Sequence, residues 1–439
     1  MAMAQELPAP GDFSVDLQWP ANPEKGGVAL LDGSLGRLGM LVSGTSLTSY
    51  QTDAGVKASH ITVPLYHLVN WLAHNWWAFL YEPRKLNNEE GEKDFRTRHW
   101  LGAAREGFVL PDVMFSPAGG NTEVIARPSY LRFAQLTFLE TVSSIVTTEN
   151  VRAQFTSLID SVLQRLGEKG IKDSDAHHAW SRVKDTDNDQ EAYCRLIGSM
   201  GLSPYVDHPD IDKGLEVVAD RITETMMVDL CEATNVRTFQ RAADVTSAMS
   251  AAMEKSEPIG MEPLLAVGRP SDGVRPAYEW GYRASDAARR SFGIAADDPD
   301  GSKVFFDKIG FKLDAPQEPA PASPIVGALK VNAGKMKLSL GPTDIATKKF
   351  GAARASFLAW SKGENNSRLV TTARTRDQQA SRAFAAEILA PAKYLEKRLG
   401  KGVEVSPFQL DKIASEIGVA PTVVRYQAQN HGYEFSEAA

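Results

Sequence analysis

Gln378-Gln-Ala-Ser-Arg-Ala-Phe-Ala-Ala-Glu-Ile-Leu-Ala-Pro391 is the stretch on which the reading of this 439-residue chain turns. It predicts a helix over Asp377–Leu389, with Pro391 as the stop. Two more helices are predicted beside it, Thr347–Trp360 upstream and Ala392–Leu399 downstream. A helix-turn-helix-like end follows over Pro407–Asn430, turning at Gly418-Val-Ala-Pro421. Working back, Val326–Leu340 alternates as a strand pair around Gly334. Ala315–Pro324 is Pro/Ala-rich and reads as a loop. Val304–Phe311 is a short apolar segment, and Trp280–Phe292 an amphipathic helix ending at Gly293. Glu257–Pro276, with four prolines and three glycines, reads as a linker.

The order of these pieces resembles the ImmA/IrrE metallopeptidase family. In that family an "A-x-x-(A)R-x-x-x-G" helix, here Ala284-Ser-Asp-Ala-Ala-Arg-Arg-Ser-Phe-Gly293, comes first. A segment ending in "LG" follows, here Lys308-Ile-Gly310. After a small sheet comes the zinc helix "RFTLAHELGHLLLH", whose counterpart is Lys349-Phe-Gly-Ala-Ala-Arg-Ala-Ser-Phe-Leu-Ala-Trp360. The "FAAELLMP" helix is matched by Phe384-Ala-Ala-Glu-Ile-Leu-Ala-Pro391. Ile413-Ala-Ser-Glu-Ile-Gly-Val-Ala-Pro-Thr-Val-Val424 is similar to the family's tail. The resemblance covers roughly 155 residues and implies a zincin-like C-terminal domain.

In an HExxH helix two His at i and i+4 share a face and hold zinc, and the Glu beside the first polarises the bound water. Registered on Phe350, the first His position falls on Arg354, the Glu position on Ala355 and the second His position on Leu358. The family's acidic third ligand, just before "FAAE", falls near Asp377, Gln378 and Gln379, with the register pointing to the amides. An arginine cannot donate a lone pair to a metal. No catalytic residue, metal or cofactor is therefore expected. The vacated groove offers Arg354, Arg374, Gln378, Arg382 and Glu387 as candidate ligand-binding residues. If Arg354 and Arg382 face each other they can grip a carboxylate or phosphate. In the structural alternative Arg382 pairs with Glu387 or Asp377, and Arg354 fills the metal pocket against a neighbour. Glu387 is read as a packing or salt-bridge residue.

The rest of the chain sets the context. The fold class expected is α+β: a small N-terminal α/β domain over 1–147, a helical region over 148–256, a linker over 257–275 and the zincin-like domain with its helical tail over 276–439. Gly27–Gly33 and Leu38–Gly44 read as strands, Val63–Tyr81 as a helix, Asn87–Asp94 as a charged loop, and Val109–Phe115 with Thr122–Ala126 as a strand pair. Helices are predicted over Val151–Leu166, Ser174–Val183, Gln190–Met200, Ile211–Ala233 and Thr238–Met253, with Asp210 as an N-cap. His74, Trp76, Trp77 and Arg98 form a candidate N-terminal binding surface, since aromatics beside arginine can stack bases or grip peptides. They also build cores.

Composition narrows the class. Hydrophobic residues at 43% and charged residues at 23% are ordinary for a globular protein. The net charge of −7 argues against a general nucleic-acid coat. Two cysteines make no disulfide framework. His67, Asn70, His74 and Asn75 interrupt the most apolar window, which argues for a buried helix and against a membrane span. With no signal-like N-terminus the expected location is cytoplasmic.

Three functions compete. The first is a catalytically inactive ImmA/IrrE-like regulator that binds or senses a protein partner, with a helix-turn-helix repressor as the partner class the resemblance implies, in a bacterial stress, phage-defence or toxin–antitoxin setting. The second is an active zinc metallo-endopeptidase cleaving a repressor, with ligands drawn from elsewhere, such as His67 and His74. The third is a DNA-binding regulator that uses Arg425, Gln427 and Gln429 of the tail.

Overall fold

The computed structural model describes residues 12–21, 26–85, 89–271, 276–312, 323–363, 365–400 and 404–435. The chain is mixed α+β, with several small antiparallel sheets and a helical C-terminus. It divides into two compact units, Met1–Asp207 and His208–Ala439. That division cuts the predicted helical region 148–256 in two, because its first three helices belong to the core of the first unit and its last three to the second.

In the first unit, β1 (Phe13–Gln18), β3 (Thr45–Ser46) and β6 (Ile61–Pro64) all pair with β2 (Leu35–Val42). A second sheet runs β5 (Lys57–Ala58), β4 (Tyr50–Thr52), β10 (Leu136–Phe138), β9 (Ser129–Leu131). A third runs β11 (Val142–Thr147), β8 (Asn121–Ala126), β7 (Val113–Pro117). The helices are α1 (Ala29–Gly33), α2 (Tyr66–Tyr81), α3 (Glu89–His99), α4 (Thr148–Glu168), α5 (Asp175–Lys184) and α6 (Asn188–Ser199). Gly27–Gly33 thus contains a helical turn where a strand is predicted, and α3 occupies part of the predicted 87–94 loop.

The helix α2 is central: Leu68, Val69, Leu72, Ala73, Trp76, Phe79 and Leu80 are buried in the core, while His67, Asn70, His74 and Asn75 share a partly exposed face. Phe79 meets Phe115 and Phe155 at ring distances of 5.3 and 5.4 Å. Gly198 of α6 lies so close to α2 that a Cβ there would stand 2.7 Å from the Trp77 backbone. The backbone N–H groups of edge strand β1 are partly satisfied by α4 side chains: Phe13 N donates to Asn150 Oδ1 (2.8 Å) and Val15 N to Gln154 Oε1 (3.0 Å).

The second unit opens with α7 (Pro209–Ala219), α8 (Glu224–Ala233) and α9 (Phe239–Lys255). The predicted helix Ile211–Ala233 is two helices, because Thr223 accepts from Met226 N and starts α8 afresh. His208, not Asp210, is the N-cap of α7, with Pro209 at the first helical position. The predicted linker holds β12 (Ile259–Gly260) and α10 (Glu262–Leu265), anchored by buried Met261 and Leu264; its residues 272–275 lie outside the described residues, as do 313–322 of the predicted Pro/Ala-rich loop. Then come α11 (Ala277–Ser291) and α12 (Gly301–Lys308), the latter a helix where only an apolar segment is predicted.

The sheet of this unit runs β12, β14 (Lys335–Leu340), β13 (Ile325–Asn332), β15 (Asn366–Thr371), antiparallel throughout. The β13–β14 turn falls on Gly334 (φ 73°), as the alternation predicts. Leu329 and Val331 share a core with α13 (Ile345–Lys362), while Lys330, on the other face by strand alternation, bonds Glu254 of α9. The chain closes with α14 (Arg376–Leu389), α15 (Ala392–Leu399), α16 (Pro407–Ile417) and α17 (Pro421–Asn430). All four lie within two residues of their predicted spans. The helix α14 lies at the centre, with α11, α12, α13 and α17 packed on it.

Candidate functional site

Three elements build the centre. Asp344 caps α13 by accepting from Thr347 N (2.9 Å), and Gly363 at φ 78° ends the helix. The next strand, β15, pairs with β13 and delivers Thr371 at its end. The 372–375 connection leads into α14, which lies on α13. Most of α13 is buried because the sheet and α14 both cover it.

Arg354 points into this contact with only 3% of its surface exposed. Its Nε donates to Ser381 Oγ (3.1 Å), and its Nη2 to the Thr371 carbonyl (2.6 Å) and to Gln378 Oε1 (2.7 Å). Gln378 is itself held: Oε1 also accepts from Thr371 N (3.1 Å), and Nε2 donates to the Leu369 carbonyl (2.7 Å). Arg382 reaches the same place, its Nη1 donating to the Thr371 carbonyl (3.4 Å) and its Nη2 to the Ala373 carbonyl (2.8 Å). Every one of these acceptors is neutral. Burial, with Arg382 nearby, pushes the Arg354 guanidinium well below the usual arginine range; burial, with Arg374 nearby, brings Arg382 down to about 10.

Arg354, Gln378 and Arg382 are therefore brought together, with Arg374 close enough to weigh on Arg382. Ser381 and the Thr371 carbonyl complete the set. Ser381 lies within one turn of Gln378 on the same helix face, a signal the sequence does carry. Neither predicted partner of Arg382 is used. Asp377 bonds Lys362 (2.8 Å) and Arg368 (3.0 Å) instead. Arg368 forks onto Asp229 of α8 at 2.8 Å through both Nε and Nη2, and Leu369 N also donates to Asp229 (2.8 Å). Burial alone raises the Asp377 carboxyl, but Arg368 and Lys362 outweigh it and hold it below its ordinary value. This buried pairing ties α8 to β15 and α14.

Glu387 stands apart from the groove. Its carboxylate accepts from Ala392 N at the start of α15 (3.2 Å to each oxygen) and from Gln427 Nε2 of α17, with His431 Nε2 at 3.9 Å. Burial pushes it up to about 7. It fastens the tail to α14, as a packing residue does, but it makes no salt bridge with Arg382.

The N-terminal candidates do not form a surface. Trp76 and Trp77 are buried, Trp76 edge-on to Trp180 at 4.8 Å and Trp77 donating to Tyr205 Oη (2.9 Å). His74 is exposed and bonds the carbonyl of Asn70 (2.9 Å) on its own helix. Arg98 forks onto buried Glu82 (2.6 and 2.7 Å), which His99 Nε2 also meets at 3.1 Å. Burial would raise Glu82; Arg98, His99 and Lys85 together hold it far below the carboxylate range. These residues build a core and a closed ion cluster. The reason is volume: indole rings on a helix enclosed by α4, α5 and α6 have nowhere else to go.

Two of the three tail residues proposed to read DNA are engaged within the chain. Arg425 forks onto Asp411 (2.7 and 2.8 Å), and Gln427 is fully buried against Glu387. Among the described residues no three His, Cys, Asp or Glu side chains come together as a metal set. No helix among them is long and apolar enough to cross a membrane. Cys194 and Cys231 are each buried in their own unit.

No family model matches the chain, and no curated protein or solved structure matches it.

Proposed function

We propose that this chain is a catalytically inactive ImmA/IrrE-like protein, a binding or sensing regulator that keeps a peptidase-type scaffold and has exchanged its metal centre for an arginine–amide centre. One observation carries the reading. Registered on Phe350, Arg354 takes the first imidazole's position; the acidic ligand's position falls among Asp377, Gln378 and Gln379, and Arg354 meets one of these, Gln378, 24 positions away, at 2.7 Å. On that register a guanidinium and an amide stand together where the family holds metal donors, which supports the reading. A guanidinium has no lone pair to give, and Ala355 supplies no base to polarise a water. Leu358, at the second imidazole's position, is fully buried.

The partner class follows from the resemblance: a helix-turn-helix repressor held but not cut, in a bacterial stress, phage-defence or toxin–antitoxin setting. The test is metal analysis of the full chain purified from its host, with repressor cleavage assayed with and without chelator. The expected result is zinc far below one per chain and no cleavage in either condition. Stoichiometric zinc lost on substitution within 350–390, or cleavage abolished by chelator, overturns the reading.

A further inference from the structure

The second unit treats its buried arginines in two ways. Arg368 receives two carboxylates, Asp229 and Asp377, while buried Arg289 is held by main-chain carbonyls alone. Arg354 and Arg382 receive none: their acceptors are two main-chain carbonyls, a hydroxyl and an amide. Two guanidiniums crowd one carbonyl, that of Thr371, at 2.6 and 3.4 Å. Nη1 of Arg354 and Nε of Arg382 make no hydrogen bond among the described residues. Arg382 and Arg374 are only partly buried. At the head of α14 Thr375 Oγ1 is buried and equally without a partner among the described residues. Like charges held together with donors to spare are stable when an anion completes them.

We propose that Arg354 and Arg382 form an oxyanion site that takes a phosphate or carboxylate group. This rests on the reading of the second unit as a binding protein, and it names the chemistry that such a centre grips. The oxyanion is accepted through the unused donors of the two guanidiniums, while Gln378, Ser381 and the Thr371 carbonyl hold Arg354 in place. Phosphate and carboxylate share this chemistry, so the source of the group is a question for the assay.

The test is thermal unfolding of the full chain in increasing inorganic phosphate or acetate, against sodium chloride of matched ionic strength. A ligand bound only by the folded state raises the midpoint with its concentration. Wild type is expected to rise with one of the two oxyanions beyond the chloride control; phosphate above acetate assigns a phosphate group, and the reverse a carboxylate. Arg382→Gln is expected to need at least about tenfold more of the same anion for an equal rise. Arg425→Gln, which loses only its surface pair with Asp411, is expected to respond as wild type. Arg382 is chosen over fully buried Arg354 because its partial exposure makes loss of folding a lesser concern, and the chloride series of each variant reports folding directly. A wild type indifferent to both anions overturns the proposal. So does an Arg382→Gln chain that responds undiminished, or an Arg425→Gln chain that loses the response with it. Metal analysis of the same samples separates the two readings. Bound zinc with an intact anion response sinks the inactive-peptidase reading alone, and zinc-free protein without an anion response sinks the oxyanion site alone.

Discussion

Glu387→Gln tests whether the tail is fastened through a carboxyl that prefers to be neutral. Burial sets the Glu387 carboxyl near 7 in the folded chain, against an ordinary 4.5. The neighbours that face it are Tyr282, Asp286 and Arg289 of α11, Gln427 of α17 and His431 just beyond it. None offers it a close cation; Arg289 spends its donors on the Ile388, Ala295 and Asp298 carbonyls. A carboxyl raised on folding supports the fold while it is protonated. That support is complete below 4.5 and is lost as pH rises through about 7. At about 1.4 kcal/mol for each pH unit between the two values, the loss comes to roughly 3 kcal/mol at pH 8. Glutamine keeps an acceptor for Ala392 N and Gln427 and carries no charge at any pH. The variant is therefore expected to match wild type near pH 5 and to exceed it by roughly 3 kcal/mol at pH 8. Urea unfolding of both proteins from pH 5 to 8 measures this, following the transition of the second unit. A difference that stays flat across that range, or one in which wild type gains on the variant as pH rises, would refute the reasoning.

Three other perturbations follow from the packing. Arg368→Leu strands buried Asp229, leaving it the Leu369 N–H, and leaves Asp377 to Lys362, so the second unit should lose about 3–5 kcal/mol in the same urea assay; a loss under about 1 kcal/mol would mean the pairing is solvated. Gly281→Ala reverses the usual gain from alanine in a helix, since its Cβ would stand 2.2 Å from the Ala380 carbonyl and 2.8 Å from Phe384 N of α14. Backbone atoms cannot swing aside, so a fall of about 1–3 kcal/mol is expected, and an unchanged midpoint contradicts the close α11–α14 crossing. Gly198→Ala meets the Trp77 backbone in the same way and should lower the first unit's midpoint, read by Trp fluorescence, while leaving the phosphate response of the second unit intact.

How far the residues alone lead can be judged at the arginines. Helices α13 to α17 are legible because their limits are local: Pro391, Pro407 and Pro421 stand at or beside helix starts, and Gly363, Gly400 and Gly418 close three of them with positive φ. The strand β15 is not, because its six residues acquire a direction only by pairing with β13, some forty positions back. That omission conceals which arginine does what. On the chain, Arg354, Arg368, Arg374, Arg376 and Arg382 are equivalent basic residues of one short stretch. In space β15 carries Arg368 to Asp229, 139 positions away on α8, and no local pattern announces that partner. The same strand ends at Thr371, whose carbonyl then collects both Arg354 and Arg382. Arg354 and Gln378 are both candidates that the residues offer, but that they bond each other is seen only in the structure. Nor do the residues foresee that Arg382 turns to main-chain carbonyls and leaves Asp377 to Arg368 and Lys362. The difference between an ion pair that holds helices together and a cationic centre short of an anion is made by one unforeseen strand, and that difference is what the phosphate titration reads.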